Sequence, residues 1–381
     1  MKKSNMRICI RPFALASFLI LTMAVDAQQV GATWKFAVSG DSRNCGDVVM
    51  PAIAKSVREN GAAFYWHLGD FRAMYDVDED IQDRYKGKPP LAEYQQIAWA
   101  DFIENQVRHF DPVPVFLGIG NHETIGKTSA DYLATFGYWI DTPSLRAQRI
   151  NDNSIDPSLK TYYHWKQHNV DFIYLDNSGD DGFDLAQLNW FEQVLTKDKN
   201  DSAVRSVVVG MHRALPNSLA CGHSMNGDVG KEHTASIESG RRAYSDLVRW
   251  QTDTHKHVYV LASHSHFFMQ DLYDTKYWNA PAHGGVVLDG WIVGTAGAKR
   301  YDLPALPAEL KDKAKAQTDV WGYLLGTVSP EGTISFEFQP VDDRQLPQNV
   351  RDQYSAKLIQ ECIKGNHDPS PHEPPKSCQE P

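Results

Sequence analysis

Seven short runs rich in β-branched and aromatic residues recur along the chain, at 34–40, 64–69, 113–120, 170–175, 206–210, 258–262 and 291–294, and each gives way to polar or glycine residues. Runs of this length and composition are buried strands. Helical patterns occupy 48–60, 95–110, 185–196 and 239–252 between several of them. Strands alternating with helices predict an α/β fold, a mainly parallel or mixed sheet with helices layered outside it. Residues 75–90 and 143–158 are polar, with Asp, Pro and Gly, and read as surface insertions.

Residues 1–27 stand apart. Lys2, Lys3, Arg7 and Arg11 precede an apolar run over 13–25 that is short for a bilayer span, and Val25-Asp26-Ala27 is a small-residue cleavage signal. This predicts a secreted or periplasmic chain with a signal peptide over 1–27, a domain over 28–345 and a partly irregular extension over 346–381. The whole chain carries a formal net charge of −10, and loss of the leader's four positive charges and Asp26 leaves −13. So acidic an exported chain is a poor candidate for binding a nucleic acid duplex or an anionic membrane. No stretch after the leader reaches transmembrane length. In an oxidising compartment Cys45, Cys221, Cys362 and Cys378 suggest two disulfides with three possible pairings. Cys362–Cys378 is favoured as a clasp on the tail, leaving Cys45–Cys221 as the long-range bridge.

The chemistry-bearing residues follow the strands. The first run ends in Gly40-Asp41-Ser42-Arg43, the second in Gly69-Asp70 and the third in Gly120-Asn121-His122-Glu123; the fifth ends in Gly210-Met211-His212 and the sixth in Ser263-His264-Ser265-His266. In open α/β sheets, the carboxyl ends of strands are where ligands bind. Carboxylates, an amide oxygen and imidazoles suit borderline ions such as zinc, iron and manganese. Asp41, Asp70, Asn121, His212, His264 and His266 exceed what one tetrahedral ion requires, and two ions sharing a carboxylate would use them.

These blocks, in this order, resemble the calcineurin-like metallophosphoesterase superfamily, which includes the purple acid phosphatases. The resemblance spans roughly residues 34–298, and Gly120-Asn121-His122-Glu123 is its most specific piece. It implies a four-layer α/β/β/α sandwich with a metal site at the strand carboxyl ends. It also implies one ion on Asp41, Asp70 and His266 and another on the bridging Asp70, Asn121, His212 and His264. The implied reaction is hydrolysis of a small phosphomonoester by a metal-bound hydroxide, with His122 assisting the leaving group and Asp70 and His122 as the catalytic pair. Arg43, Asn121 and Arg213 are candidate substrate contacts, with Arg72, Lys299 and Arg300 further cations for the rest of the ester.

Three positions depart from the family pattern. Arg43 stands where many members have a first-site histidine, Ala73 where purple acid phosphatases have a tyrosine, and Ser263 where a glycine usually precedes His-x-His. The first site then keeps three recognisable ligands, with water, the bound phosphate or Asn44 available to complete it, and Tyr75 a lesser candidate because it is displaced along the chain. Arg43 has three readings: pairing with an acidic neighbour, gripping phosphate oxygens, or replacing the first ion so that one metal remains. The alternatives to a phosphomonoesterase are a phosphodiesterase acting on nucleotides or phospholipid head groups, and a non-catalytic phosphate- or metal-binding relative.

Overall fold

The computed structural model describes residues 32–153, 156–219, 222–228, 231–303 and 315–365; the expected signal peptide, Cys221 and Cys378 lie outside them. In chain order the strands are β1 (Trp34–Ser39), β2 (Tyr65–His67), β3 (Val115–Leu117), β4 (Tyr163–Gln167), β5 (Val170–Leu175), β6 (Ser206–Met211), β7 (Gly227–Asp228), β8 (Lys231–Glu232), β9 (His257–Ala262), β10 (Phe268–Gln270), β11 (Asp289–Val293), β12 (Ala316–Gln317), β13 (Trp321–Val328) and β14 (Ile334–Val341). One sheet runs β14-β13-β1-β2-β3 and the other β12-β10-β11-β9-β6-β5-β4.

Side chains alternate across a strand, so each sheet offers two faces. Phe36 and Val38 of β1 and Trp66 of β2 turn inward and meet Phe172 and Tyr174 of β5, Val208 of β6 and Leu261 of β9 in one buried cluster between the sheets. Ala37 and Tyr65, one residue out of phase, face α1 (Gly46–Glu59). On the far side Ile173, Val207 and Val260 face residues of the helices Leu185–Asn200 and Thr234–Thr254, among them Phe191, Leu195, Tyr244 and Leu247. The layers are therefore helix, sheet, sheet, helix. Within the sheets β1, β2 and β3 are parallel, as are β5, β6, β9 and β11. Ser39 pairs with His67 and His67 with Leu117, while Met211 pairs with Ala262, so the expected site residues leave each sheet at a common edge.

All seven expected strands form, but other elements escape the sequence pattern. The first polar insertion contains the helix Glu79–Arg84 and the second the helix Pro143–Asp152, whose start is capped by Thr142 Oγ1 accepting from Leu145 N. Ser129–Ile140 is a further helix, held by a capping box between Thr128 and Asp131. β13 and β14 extend the first sheet beyond β1. The extension is helical at Gln348–Gln353 and Ala356–Gln360, and Val350, Leu358 and Cys362 pack with Val48, Val57 and Tyr323. Both expected pairings, Cys362–Cys378 and Cys45–Cys221, are corrected here: Cys362 is bonded to Cys45. Docking of the extension on α1 brings those two sulfurs together, which spacing along the chain does not reveal. Among the described residues, no helix is long and apolar enough to cross a membrane.

On β4, His164 lies buried between Asp171 Oδ2 at 2.7 Å and Asp152 Oδ2 at 2.5 Å. Burial works against its charge, but the two carboxylates outweigh it and push its pKa up to about 10. An unfolded imidazole titrates near about 6.5, so the pair's stabilisation is complete below that value and is lost as pH rises through about 10. His164→Gln should cost about 3 kcal/mol at pH 6. Urea unfolding should show that difference shrinking between pH 7 and pH 10; a constant difference would contradict it.

Candidate metal centre

Six strand-end groups meet in the buried cleft between the two sheets. Asp70 Oδ1 lies 3.2 Å, Asn121 Oδ1 3.0 Å and His264 Nδ1 3.1 Å from His212 Nε2. Ligands on a tetrahedral ion with bonds of about 2.1 Å stand roughly 3.4 Å apart, so these spacings match one coordination sphere. Next to it, Asp41 Oδ1 lies 3.4 Å from His266 Nε2. Asp41 Oδ1 and Asp70 Oδ2 are buried without a hydrogen-bond partner among the described residues. Buried carboxylate oxygens without donors are costly unless a cation meets them. The residues therefore fit a metal.

Each imidazole is locked by a backbone carbonyl. His212 Nδ1 donates to Leu68 O at 3.0 Å, His264 Nε2 to Gly222 O at 3.1 Å, His266 Nδ1 to Lys299 O at 2.5 Å and His122 Nδ1 to Ala73 O at 2.5 Å. A fixed N–H on one side turns the other nitrogen's lone pair toward the cleft, which is how metal-ligating histidines are oriented. Burial opposes a charged His212, yet Asp70 and then Asp41 push it up to about 9. The centre favours positive charge. His264 and His266 are held low, by burial and then by the positive charge of His212 and of Arg43 respectively. Burial and Arg43 likewise hold His122 down to about 4, so it is neutral near pH 7 rather than half charged.

Glycine lets the loops approach. Gly69 has φ +100°, and a Cβ there would sit 2.5 Å from Gly120 N; a Cβ on Gly120 would sit 2.3 Å from Asp70 Oδ1. Ser263 needs no glycine, because the left-handed residue is its neighbour His264. Its hydroxyl donates to Leu68 O and lies 3.1 Å from His212 Nδ1.

No family model and no curated protein matches the sequence. A purple acid phosphatase from yellow lupin (Lupinus luteus) seeds matches the structure with a TM-score of 0.52 at 13% identity, over 89% of this chain and 57% of the lupin chain. The chain shares the fold of that phosphatase. It spans little more than half the length of the lupin protein. A structure of PhoD matches with a TM-score of 0.47 at 15% identity, over 81% of this chain and 69% of PhoD.

On this fold several expected contacts change role. Arg43 has no carboxylate within ion-pair distance among the described residues; Nη2 donates to His266 Nε2 at 2.9 Å and Nη1 to Tyr75 Oη at 3.1 Å. Asn44 does not complete the site, since its amide is taken up by Glu79 Oε2 and by the backbone N–H of Lys299. Arg72 is not a substrate contact: it is wholly buried among Asp47, Asp78, Asp80 and Asp101. Lys299 pairs with Glu79, and Arg300 lies over the Trp321 ring at 4.9 Å. Arg213 stays beside the centre, its backbone clamped by Asn177, which donates to Arg213 O at 2.7 Å and accepts from Arg213 N at 3.0 Å.

Glu123 acts where the sequence shows only a motif letter. Its carboxylate accepts from Asp70 N at 2.8 Å, Phe71 N at 2.8 Å and Gly120 N at 2.7 Å, fixing the two loops that carry Asp70 and Asn121. Glu123→Ala leaves three buried N–H groups without acceptors and should cost about 3–5 kcal/mol. Glu123→Gln, which keeps one acceptor oxygen, should cost less. Denaturant unfolding checks both, and an alanine variant within about 1 kcal/mol of wild type would show that Glu123 does not hold these loops.

Proposed function

We propose that the chain is an exported, metal-dependent phosphomonoesterase. The observation that carries this reading is the convergence of Asp70, Asn121 and His264 on His212 Nε2, beside buried carboxylate oxygens that have no donor. Asp70, Asn121, His212 and His264 would hold a divalent or trivalent ion, with iron, zinc and manganese all suited to the donor set. Asp41, Asp70 and His266 face a second position. A bound metal would supply a water acidified toward neutrality and positive charge for the phosphoryl oxygens.

The protein's own groups do the rest. Asp70 turns Oδ1 toward His212 Nε2 at 3.2 Å and Oδ2 toward His122 Nε2 at 3.5 Å. Arg43 Nε and Arg213 Nε are buried donors without a partner among the described residues, available to phosphoryl oxygens. With the one proton of neutral His122 held on Nδ1 by Ala73 O, Nε2 faces the cleft as a lone pair that would accept a proton from a water or hydroxyl on the leaving-group side, and the Tyr75 ring stands 5.2 Å from that imidazole. Export is supported by the leader pattern of residues 1–27 and by the Cys45–Cys362 bridge, which belongs in an oxidising compartment.

The test is hydrolysis of p-nitrophenyl phosphate by protein reconstituted with zinc, manganese or iron. His122→Ala should lower kcat by roughly 10²–10⁴ with metal content unchanged. Loss of metal in that variant would contradict the role given to His122. Faster hydrolysis of bis-p-nitrophenyl phosphate would overturn the monoester reading in favour of a diester, and no turnover with any of the three metals would leave a binding protein.

A further inference from the structure

The six donor groups fall into two unequal halves. Around His212 Nε2, the donor atoms of Asp70, Asn121 and His264 all lie within 3.2 Å. Around His266 Nε2, the space is already served by a side chain of this protein. With Nδ1 of His266 spent on Lys299 O, Nε2 presents its lone pair, and Arg43 Nη2 donates into it at 2.9 Å. That lone pair is the one a cation at this position would need.

Arg43 is held there on several sides. Nη1 donates to Tyr75 Oη at 3.1 Å and Nη2 also reaches Tyr301 Oη at 3.3 Å, while the Tyr301 ring stacks on His266 at 3.9 Å. The residue is 6% exposed. No carboxylate lies close enough to form an ion pair with it among the described residues, so its charge is balanced by the two buried carboxylates of the centre at longer range. A guanidinium cannot be deprotonated in a protein, so its charge is permanent. A dication seated against His266 would face that fixed charge a few ångströms away in a poorly screened interior.

We infer that Arg43 is the resident cation of the Asp41–His266 half, so that the chain holds a single metal ion, at Asp70, Asn121, His212 and His264. The inference rests on the proposal that these strand-end groups are a metal centre, and it narrows that proposal from a pair of ions to one. Arg43 then does two things. It neutralises Asp41 and Asp70 without a second metal, and its buried Nε remains a donor for an oxygen of an incoming phosphate.

The experiment is metal stoichiometry on the full mature chain, stripped and then titrated with Zn²⁺, read by mass spectrometry and calorimetry, with Co²⁺ loading followed by electron paramagnetic resonance. Wild type should take up one tight equivalent, and the Co²⁺ form should show an uncoupled high-spin signal. Arg43→His should raise uptake to two equivalents. Arg43→Gln, which removes the charge and adds no ligand, should admit a second, weaker equivalent. His266→Ala should keep the single ion, whereas His212→Ala should weaken it at least 100-fold. Two tight equivalents in wild type would overturn the role given to Arg43 and leave the metal centre standing, and so would uptake fixed at one equivalent in both Arg43 variants. Loss of the sole ion in His266→Ala would overturn its location. No tight binding in wild type would instead sink the metal-centre reading itself.

Discussion

Asp41, Asp70 and His264 hold the left-handed backbone region, with φ of 61°, 61° and 65°. L-residues avoid this region at a cost of order 1 kcal/mol each, and it persists only where the surroundings over-determine it. Here they do. Asp41 N donates to Gly69 O and Ser42 N to Asp70 O, tying the first strand's exit to the second's. His264 N donates to Asp41 Oδ2 at 2.7 Å, tying one sheet to the other. Glu123 then fastens Asp70 to the third loop. Each sharp turn folds a side chain back over the sheet edge instead of along the strand, and the shared bonds make the three turns a single unit. The site depends on this lattice more than on any one donor.

The same loops are buttressed from behind. Arg72, two residues after Asp70, is locked among carboxylates from α1, the segment 78–80 and Asp101. Tyr354 Oη donates to Asp47 Oδ2 at 2.7 Å, so the extension reaches the same buried cluster. Cys362 meets Cys45 four residues beyond Asp41. Buried charge of this density is a poor source of net stability, because desolvation offsets much of the Coulombic gain. Its value lies in geometry: it leaves the first loop few alternative positions.

What could be read in the sequence was local. Strand runs and their polar endings sit within a few residues, so the sheet cores and all six candidate ligands were legible. The elements that escaped depend on distant partners. β13 pairs with β1 across most of the chain, and its Gly322 and Gly326 break the expected strand composition. The Cys45–Cys362 bridge follows from docking of the extension, which spacing cannot express. Arg72 and Arg213 look alike in a sequence; in the fold four carboxylates enclose Arg72, whereas Arg213 has Asp180 at 3.7 Å. The Thr142-Pro143 start of a helix was a local signal inside a stretch whose polarity read as a loop. Arg43 departs visibly from the pattern of its neighbours in sequence, but its partner His266 lies 223 residues away, so only the folded geometry assigns its role.

The most direct measurement is an anomalous diffraction map recorded at the absorption edge of the metal in crystals of the reconstituted protein. A peak within about 2.0–2.3 Å of Asp70, Asn121, His212 and His264 is the outcome the account requires. A strong peak elsewhere, or a cleft without anomalous signal in metal-replete crystals, would contradict it.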